Sequence, residues 1–227
     1  STRYPNSSCK PKQGQKGLMA ISTRLKTIAD FIEQNSIVFD VGADHGILEN
    51  YLLDNNRIKK IYAIENKKGP FNILSSSLKN NKNAICIFSD GLKDLKTDCD
   101  TIIVAGMGAH LISKIVFPKV LEFDNVKSII VDSHNDLFYL RSNFIDNGFK
   151  IEKEKIVFEN NHFYFVIKFI KGIKEKKKEE LEFGYKIKED PLFSLYKEKE
   201  LSKINDLILK VKDVDDKKIR TLLERKE

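Results

Sequence analysis

The sequence has little of what an oxidised, metal-bound or membrane-spanning protein needs. Cysteine is scarce: Cys9, Cys86 and Cys99 are odd in number and lack disulfide or metal spacing, which points to a reducing cytoplasm. The histidines His45, His110, His134 and His162 show no zinc-type spacing, so no metal is expected. No apolar run approaches the roughly 20 residues of a membrane span, and no signal-peptide pattern is visible. Positive charge, by contrast, is plentiful. Lys and Arg number 40 against 33 Asp and Glu, a net charge of +7, which favours a polyanionic partner such as nucleic acid. A solvated lysine-rich surface is the competing reading. With 41% hydrophobic residues in 227, there is material for one α/β domain with its own core and an appendage.

The chain is organised around residues 37–46, Ile37-Val38-Phe39-Asp40-Val41-Gly42-Ala43-Asp44-His45-Gly46. A buried apolar run turns through glycines into the apolar-periodic 47–53, which predicts strand, tight turn and helix, the first βα unit of a parallel sheet. Ligands of such sheets bind outside the carboxyl ends of the strands, so residues 40–46 floor the expected site. A dinucleotide loop reads G-x-G-x-x-G and sets a pyrophosphate on the helix N-terminus. Here Asp44 stands between Gly42 and Gly46. A carboxylate there repels a pyrophosphate but suits a ligand bearing an ammonium and a sulfonium, as S-adenosylmethionine does. An ordinary strand-to-helix turn is the bland alternative.

Residues 1–18 are polar and aperiodic; they read as disordered or as a cloning remnant, with Met19 as the natural start. Leu25, Ile28, Ala29 and Ile32 form a helical stripe running to about Glu33, capped by Ser22 or Thr23. Arg24 falls in its first turn, an unfavourable place for a cation, and hints at an outside partner. Residues 60–65 are the second strand, ending in Glu65 about twenty residues beyond the glycine loop, where an acid can bond ribose hydroxyls. Gly69-Pro70 opens a helix to about Asn80. Residues 84–88 are the third strand, followed by Ser89-Asp90-Gly91-Leu92; Asp90 can accept from an adenine amino group, while a simple Asp-Gly turn is the alternative. Residues 101–105 are a fourth strand, buried on both faces, leading through Gly106-Met107-Gly108 into a helix over 109–116. Met107 can pack on a base or cofactor, or simply in the core. Residues 126–132 are the fifth strand. Asn135 beyond it offers a donor and an acceptor for a base edge. A helix from Leu137 to about Asn147, closed by Gly148, precedes a hairpin of 151–158 and 163–169. The expected fold is α/β: a doubly wound, Rossmann-like sheet of seven strands over residues 19–171, followed by a helical part over 172–227. In that part 173–181 is a charge run, and two antiparallel helices follow, the first carrying Leu192, Leu195, Tyr196, Leu201, Ile204, Leu207, Ile208 and Val211, the second Ile219, Leu222 and Leu223. Its lysines can grip phosphates or merely solvate the helices.

Residues 40–46 (DVGADHG), Glu65, SDGL at 89–92 and VAGMG at 104–108, with RLKTIADFI at 24–32 and KGP at 68–70, resemble in order the TrmK family of bacterial tRNA adenine-N1 methyltransferases, which act on adenosine 22 of the D-arm. The resemblance covers about residues 21–170 and continues into the tail. The family reads DIGTDHAYL, GDGL and IAGMGG at the corresponding places. Departures are Glu65 for an expected Asp, Gly46 for Ala, Ala109 for the second Gly of M-G-G, and Ser133-His134-Asn135 for a Q-P-x-N-like stretch.

Together the residues and the resemblance imply a SAM-dependent methyltransferase. The cofactor is expected on Asp40, Gly42, Asp44, His45, Gly46, Glu65, Asn66, Asp90, Gly91, Ala105 and Gly106. Asp44, Met107 and Asn135 are expected nearest the chemistry. Arg24, Lys176, Lys177 and Lys178 are expected to touch tRNA, with the protein acting as a cytoplasmic monomer. Adenine N1 has an in-plane lone pair, so the base need not be deprotonated. Asp40, Asp44 and Asp136 are the carboxylates placed to favour charge on the ring, and His45 can orient cofactor or base. An NAD-type oxidoreductase and a non-catalytic RNA-binding module on this scaffold are the alternatives.

Overall fold

The computed structural model describes residues 21–133 and 135–210. Seven strands form one sheet: β1 (Ser36–Val41), β2 (Ile58–Glu65), β3 (Ala84–Phe88), β4 (Thr101–Met107), β5 (Ser128–Ser133), β6 (Phe149–Glu159) and β7 (His162–Lys171). Their spatial order is β3-β2-β1-β4-β5-β7-β6, with the first five parallel and β7 antiparallel to both β5 and β6. The expected doubly wound sheet with its terminal hairpin is therefore present. The chain reverses direction across the sheet between β1 and β4, which opens a crevice at their carboxyl ends.

Successive strand side chains point to opposite faces, so an uninterrupted apolar strand feeds two cores. Ile102 and Val104 face one core and Ile103 the other; Ile129 and Val131 are likewise divided from Ile130. Helices α4 (Ala109–Val116) and α5 (Leu137–Asp146) cover the first face through Ile112, Val116, Leu140 and Phe144. Helices α1 (Thr23–Phe31), α2 (Ile47–Asp54) and α3 (Lys68–Leu78) cover the second through Ile28, Leu52 and Leu74. Ser22 caps α1 by accepting from Leu25 N at 3.2 Å. That helix ends at Phe31, short of Glu33, because Ile32 turns to an extended backbone. The fifth strand begins at Ser128 and not Val126, and the fourth runs two residues further than expected, through Gly106 to Met107.

Of the expected helical tail, α6 (Lys178–Phe183) and α7 (Phe193–Lys210) are described. The charge run is not purely solvated: Leu181 is buried. A third apolar cluster joins Ile156 and Phe165 of the hairpin to Ile187, with Phe193 and Tyr196 of α7 packed against it. The second tail helix, with Ile219, Leu222 and Leu223, lies outside the described residues, as do Met19, Cys9 and His134. No helix among the described residues is long and apolar enough to cross a membrane.

Candidate active site

The carboxyl ends of β1, β2, β3 and β4 enclose a cleft of about 820 Å³. Asp40, Gly42, Asp44, His45, Glu65, Asn66, Asp90, Gly91, Ala105, Gly106 and Met107 all line it, as does Arg24. The sequence-predicted rim is thus one surface, because parallel strands deliver their following loops to the same edge.

The first loop is built by backbone conformations that few residues adopt. Gly42 has φ +81°, and a Cβ on it would lie 2.4 Å from the Met107 methyl carbon. Met107 therefore folds back over the first loop. Asp44 also has positive φ, +51°, which Asp tolerates better than most residues. It is mostly exposed, and its Oδ2 lies 2.8 Å from His45 Nδ1. Gly46 does not line the cleft; in the left-handed conformation it starts α2 and lies beneath the site.

Below the loop, Asp40 and Glu49 form an acid pair. Asp40 is 5% exposed and Glu49 1%. Burial pushes Asp40 up to about 7, against a lowering bond from Glu49. Burial, reinforced by the Asp40 charge, pushes Glu49 well above the usual carboxylate range.

Glu65 is buried at the end of β2, where its Oε1 accepts from Asn66 N at 3.0 Å and Lys67 N at 2.8 Å. Both bonds fall on one oxygen, which leaves Oε2 for a ligand hydroxyl. Asp90 is exposed; Lys93 bonds its Oδ2, and Asn66 Nδ2 approaches Oδ1 at 3.4 Å. The Lys93 bond and charge hold Asp90 below the usual carboxylate range.

The structure bears on four of these expectations. Arg24 needs no outside partner to offset its place in the first turn of α1. Its Nη1 lies 2.9 Å from Oδ2 of the fully buried Asp132, and its backbone N–H donates to Glu159 Oε2 at 3.1 Å. Asn135 stands beside the cleft and not in its lining; its Oδ1 accepts from Ala109 N at 3.2 Å and so caps α4. Its amide nitrogen remains the end that can address a base. Asp136 is also committed: it caps α5 by accepting from Tyr139 N, and its Oδ2 lies 3.3 Å from His110 Nε2, with the imidazole tilted over the Tyr139 ring at 3.9 Å between centroids. The lysine run is remote. Lys176 pairs with Asp146 at the C-terminus of α5, and the cleft is at the other end of that helix, ~15 Å along its axis. Lys177 and Lys178 are exposed there.

A family model described as a methyltransferase domain matches residues 21–167. The chain belongs to this methyltransferase-domain family. Among its relatives, a tRNA (adenine(22)-N(1))-methyltransferase of Bacillus subtilis is 26% identical over 155 residues, 66% of this chain. The match spans 64% of that relative's length, slightly under two thirds. The fold matches a crystal structure of Streptococcus pneumoniae Sp1610, a candidate tRNA (m1A22) methyltransferase, with TM-score 0.86 and 26% identity, covering 91% of this chain and 96% of that one. A second structure of Sp1610, in complex with S-adenosyl-L-methionine, aligns with TM-score 0.80 and 27% identity over 92% of this chain and all of that one. These relatives bear out the resemblance read from the motifs.

The methyltransferase cleft also contains residues that sequence reasoning missed: Leu25, Ile47, Glu49, Pro70, Leu111 and Ile115. Most are ordinary apolar helix residues with no signal of their own. Glu49 did carry one. It precedes Leu52 and Leu53 by three and four residues, which places an acid on the buried stripe of α2.

Proposed function

We propose that this chain transfers the methyl group of S-adenosylmethionine to N1 of adenosine 22 in the D-arm of tRNA. The observation that carries the reading is the single cleft with acids at the ends of three successive strands, Asp40, Glu65 and Asp90, and the Gly-Met-Gly turn of β4 beside them. Its donor set fits this cofactor. Carboxylates in the first loop suit an ammonium and a sulfonium, the open oxygen of Glu65 suits the ribose, and Asp90 suits the adenine amino group. Gly42 and Gly108 keep backbone free of Cβ atoms where methyl donor and acceptor would meet; a Cβ on Gly108 would lie 3.2 Å from Asn135 Oδ1.

When bound, the cofactor supplies a methyl group activated by its sulfonium. The residues of this chain do the rest by placement. Adenine N1 presents a lone pair, so no side chain has to act as a base. The chain must unpair the adenine, hold N1 in line and exclude water. Such positioning supplies roughly 7–11 kcal/mol at its upper limit. The methylated ring is cationic. Asp136 is held by its cap on α5 and Asp40 is buried against Glu49, whereas Asp44 of the first loop is largely exposed with His45 beside it and is the carboxylate that can face a cationic group in the cleft. The net charge of +7 supports a polyanionic substrate, and a tRNA substrate fits a cytoplasmic enzyme. A nicotinamide reading is disfavoured because Asp44 and Glu49 both lie where a pyrophosphate would meet the start of α2.

The test is transfer of labelled methyl from S-adenosylmethionine to unmodified tRNA transcripts, followed by nucleoside mass analysis. 1-Methyladenosine that disappears when adenosine 22 is replaced is the expected result. Cofactor binding without transfer would turn the reading to another acceptor or to a non-catalytic RNA-binding protein.

A further inference from the structure

Two acids buried side by side with no cation ask for an explanation. Glu49 is 1% exposed, and neither of its carboxyl oxygens meets a hydrogen-bond donor of another residue apart from the neighbouring Asp40 carboxyl. Both acids line the cleft. The groups acting on the pair are acidic or neutral: Asp44 of the first loop adds negative charge to Glu49, and Cys86 of β3 is a thiol that Glu49 and burial both push up. No lysine or arginine among the described residues offsets them; Arg24, the cation in the cleft lining nearest in sequence, is tied to Asp132. The N-terminus of α2 lends Glu49 only a partial positive charge. Two adjacent buried carboxyls cannot both ionise cheaply, so without a ligand they retain a shared proton.

We propose that Glu49 is a second carboxyl of the cation-receiving end of the cofactor site, and that the Asp40–Glu49 pair releases its shared proton to solvent when the ammonium of S-adenosylmethionine enters. This rests on the cofactor assignment above. The ammonium supplies the positive charge that the protein withholds, and it replaces a proton with a fixed cation. Binding is then linked to pH, with the sign set by the pair: Asp40, raised by burial to about 7 in the free protein, falls when the cation arrives, so affinity rises with pH through the acid range. Glu49 acts here as a positioning residue. It shares the proton that burial holds on the pair until the right ligand arrives.

Calorimetry on the full chain tests this with S-adenosylhomocysteine, which carries the amino-acid group, and with 5′-methylthioadenosine, which lacks it. Titration near pH 6.5 keeps the ligand amine protonated, since α-amino groups titrate at roughly 7.7–8.0. Repeating the titration in buffers of different ionisation enthalpy counts the protons released. The expected result is about one half to one proton released with S-adenosylhomocysteine and none with 5′-methylthioadenosine, with affinity for the former rising about five- to tenfold from pH 5.5 to 6.5. In Glu49→Gln the amide can donate to Asp40 and hold it ionised, so S-adenosylhomocysteine should bind more weakly, with proton release and pH dependence both reduced. Wild-type binding without proton release, equal release with both ligands, or unchanged release in Glu49→Gln would each overturn the proposal. The two-ligand comparison in the wild type decides it even if the variant folds poorly. Failure of both ligands to bind at any pH would instead overturn the cofactor assignment itself.

Discussion

Arg141 and Glu154 are both fully buried, and the guanidinium grips one carboxylate oxygen twice, through Nε at 3.0 Å and Nη2 at 2.7 Å. Arg141 Nη1 also donates to the backbone oxygens of Leu181 and Glu182, and Glu154 Oε2 accepts from Tyr185 N at 2.8 Å. Helix α5, strand β6 and the start of the tail are fastened at this pair. Arg141→Met strands a buried carboxylate and should cost about 3–5 kcal/mol in urea unfolding. Adding Glu154→Leu should restore part of that. It should not restore all of it, because the Leu181 carbonyl and the Tyr185 N–H lose these partners, at about 1–3 kcal/mol for each that remains buried. Full recovery in the double variant would show that the tail is not held here.

Asp44 is the acid in the first loop that tests cofactor choice. Asp44→Asn keeps a residue that tolerates φ +51° and removes only the charge. A charge-assisted hydrogen bond contributes about 1.5 kcal/mol or more, so S-adenosylmethionine affinity should fall at least roughly tenfold. Thermal unfolding of the free protein should barely move, because Asp44 is largely exposed and its neighbour His45 is half exposed. Calorimetry and a melting curve on the same sample read both quantities. Unchanged affinity would remove Asp44 from the site.

What the sequence showed and what it hid divide along a physical line. Parallel strands are apolar on both faces and end at functional loops, so β1 to β5 and the rim acids could be read from local pattern. Long-range pairing has no local pattern. Arg24 looked misplaced because Asp132, its partner, is 108 residues away. Lys168 sits inside an apolar run of β7, and nothing nearby announces Glu33 and Glu152, which hold its ammonium. Asp136 and Asn135 looked free for chemistry because a cap is visible only once the helix start is fixed in space. The periodicity of α7 was legible, but its docking through Tyr196 onto Phe163 and Phe165 depends on hairpin geometry.

The Lys168 cluster gives a pH prediction with two limbs. Burial alone would lower Lys168, yet its bonds to Glu33 at 2.6 Å and Glu152 at 2.9 Å outweigh this and raise it. A raised cation contributes stability that is complete below its unfolded value, near 10.4, and lost as pH rises through the folded value. Glu33 is lowered by its hydrogen bond to Lys168. Its contribution is complete above its unfolded value, near 4.3, and lost as pH falls through the folded one. Lys168→Met should therefore be less stable than wild type by about 1 kcal/mol between those limits, a modest figure because Glu33 is mostly exposed. The gap should narrow at both pH extremes. Urea midpoints across pH would show it, and a constant gap would refute the assignment.

Gly42 and Met107 offer a prediction in which two causes can be separated. Gly42→Ala places a Cβ at a backbone of φ +81°, which costs about 1–2 kcal/mol whatever surrounds it. The same Cβ would lie 2.4 Å from the Met107 methyl carbon, so the thioether must move off the first loop. Met107 is a flexible side chain, and its displacement should cost little stability. It should cost much more activity, because it lines the cleft between the first loop and the end of β4. Methyl transfer by Gly42→Ala should thus fall further than its melting temperature implies. Pairing it with Met107→Ala removes the collision and leaves the backbone strain, so the double variant should melt no higher than Gly42→Ala while regaining cofactor affinity. If affinity does not return, the strained turn itself, and not the displaced methionine, is what the cofactor site cannot tolerate.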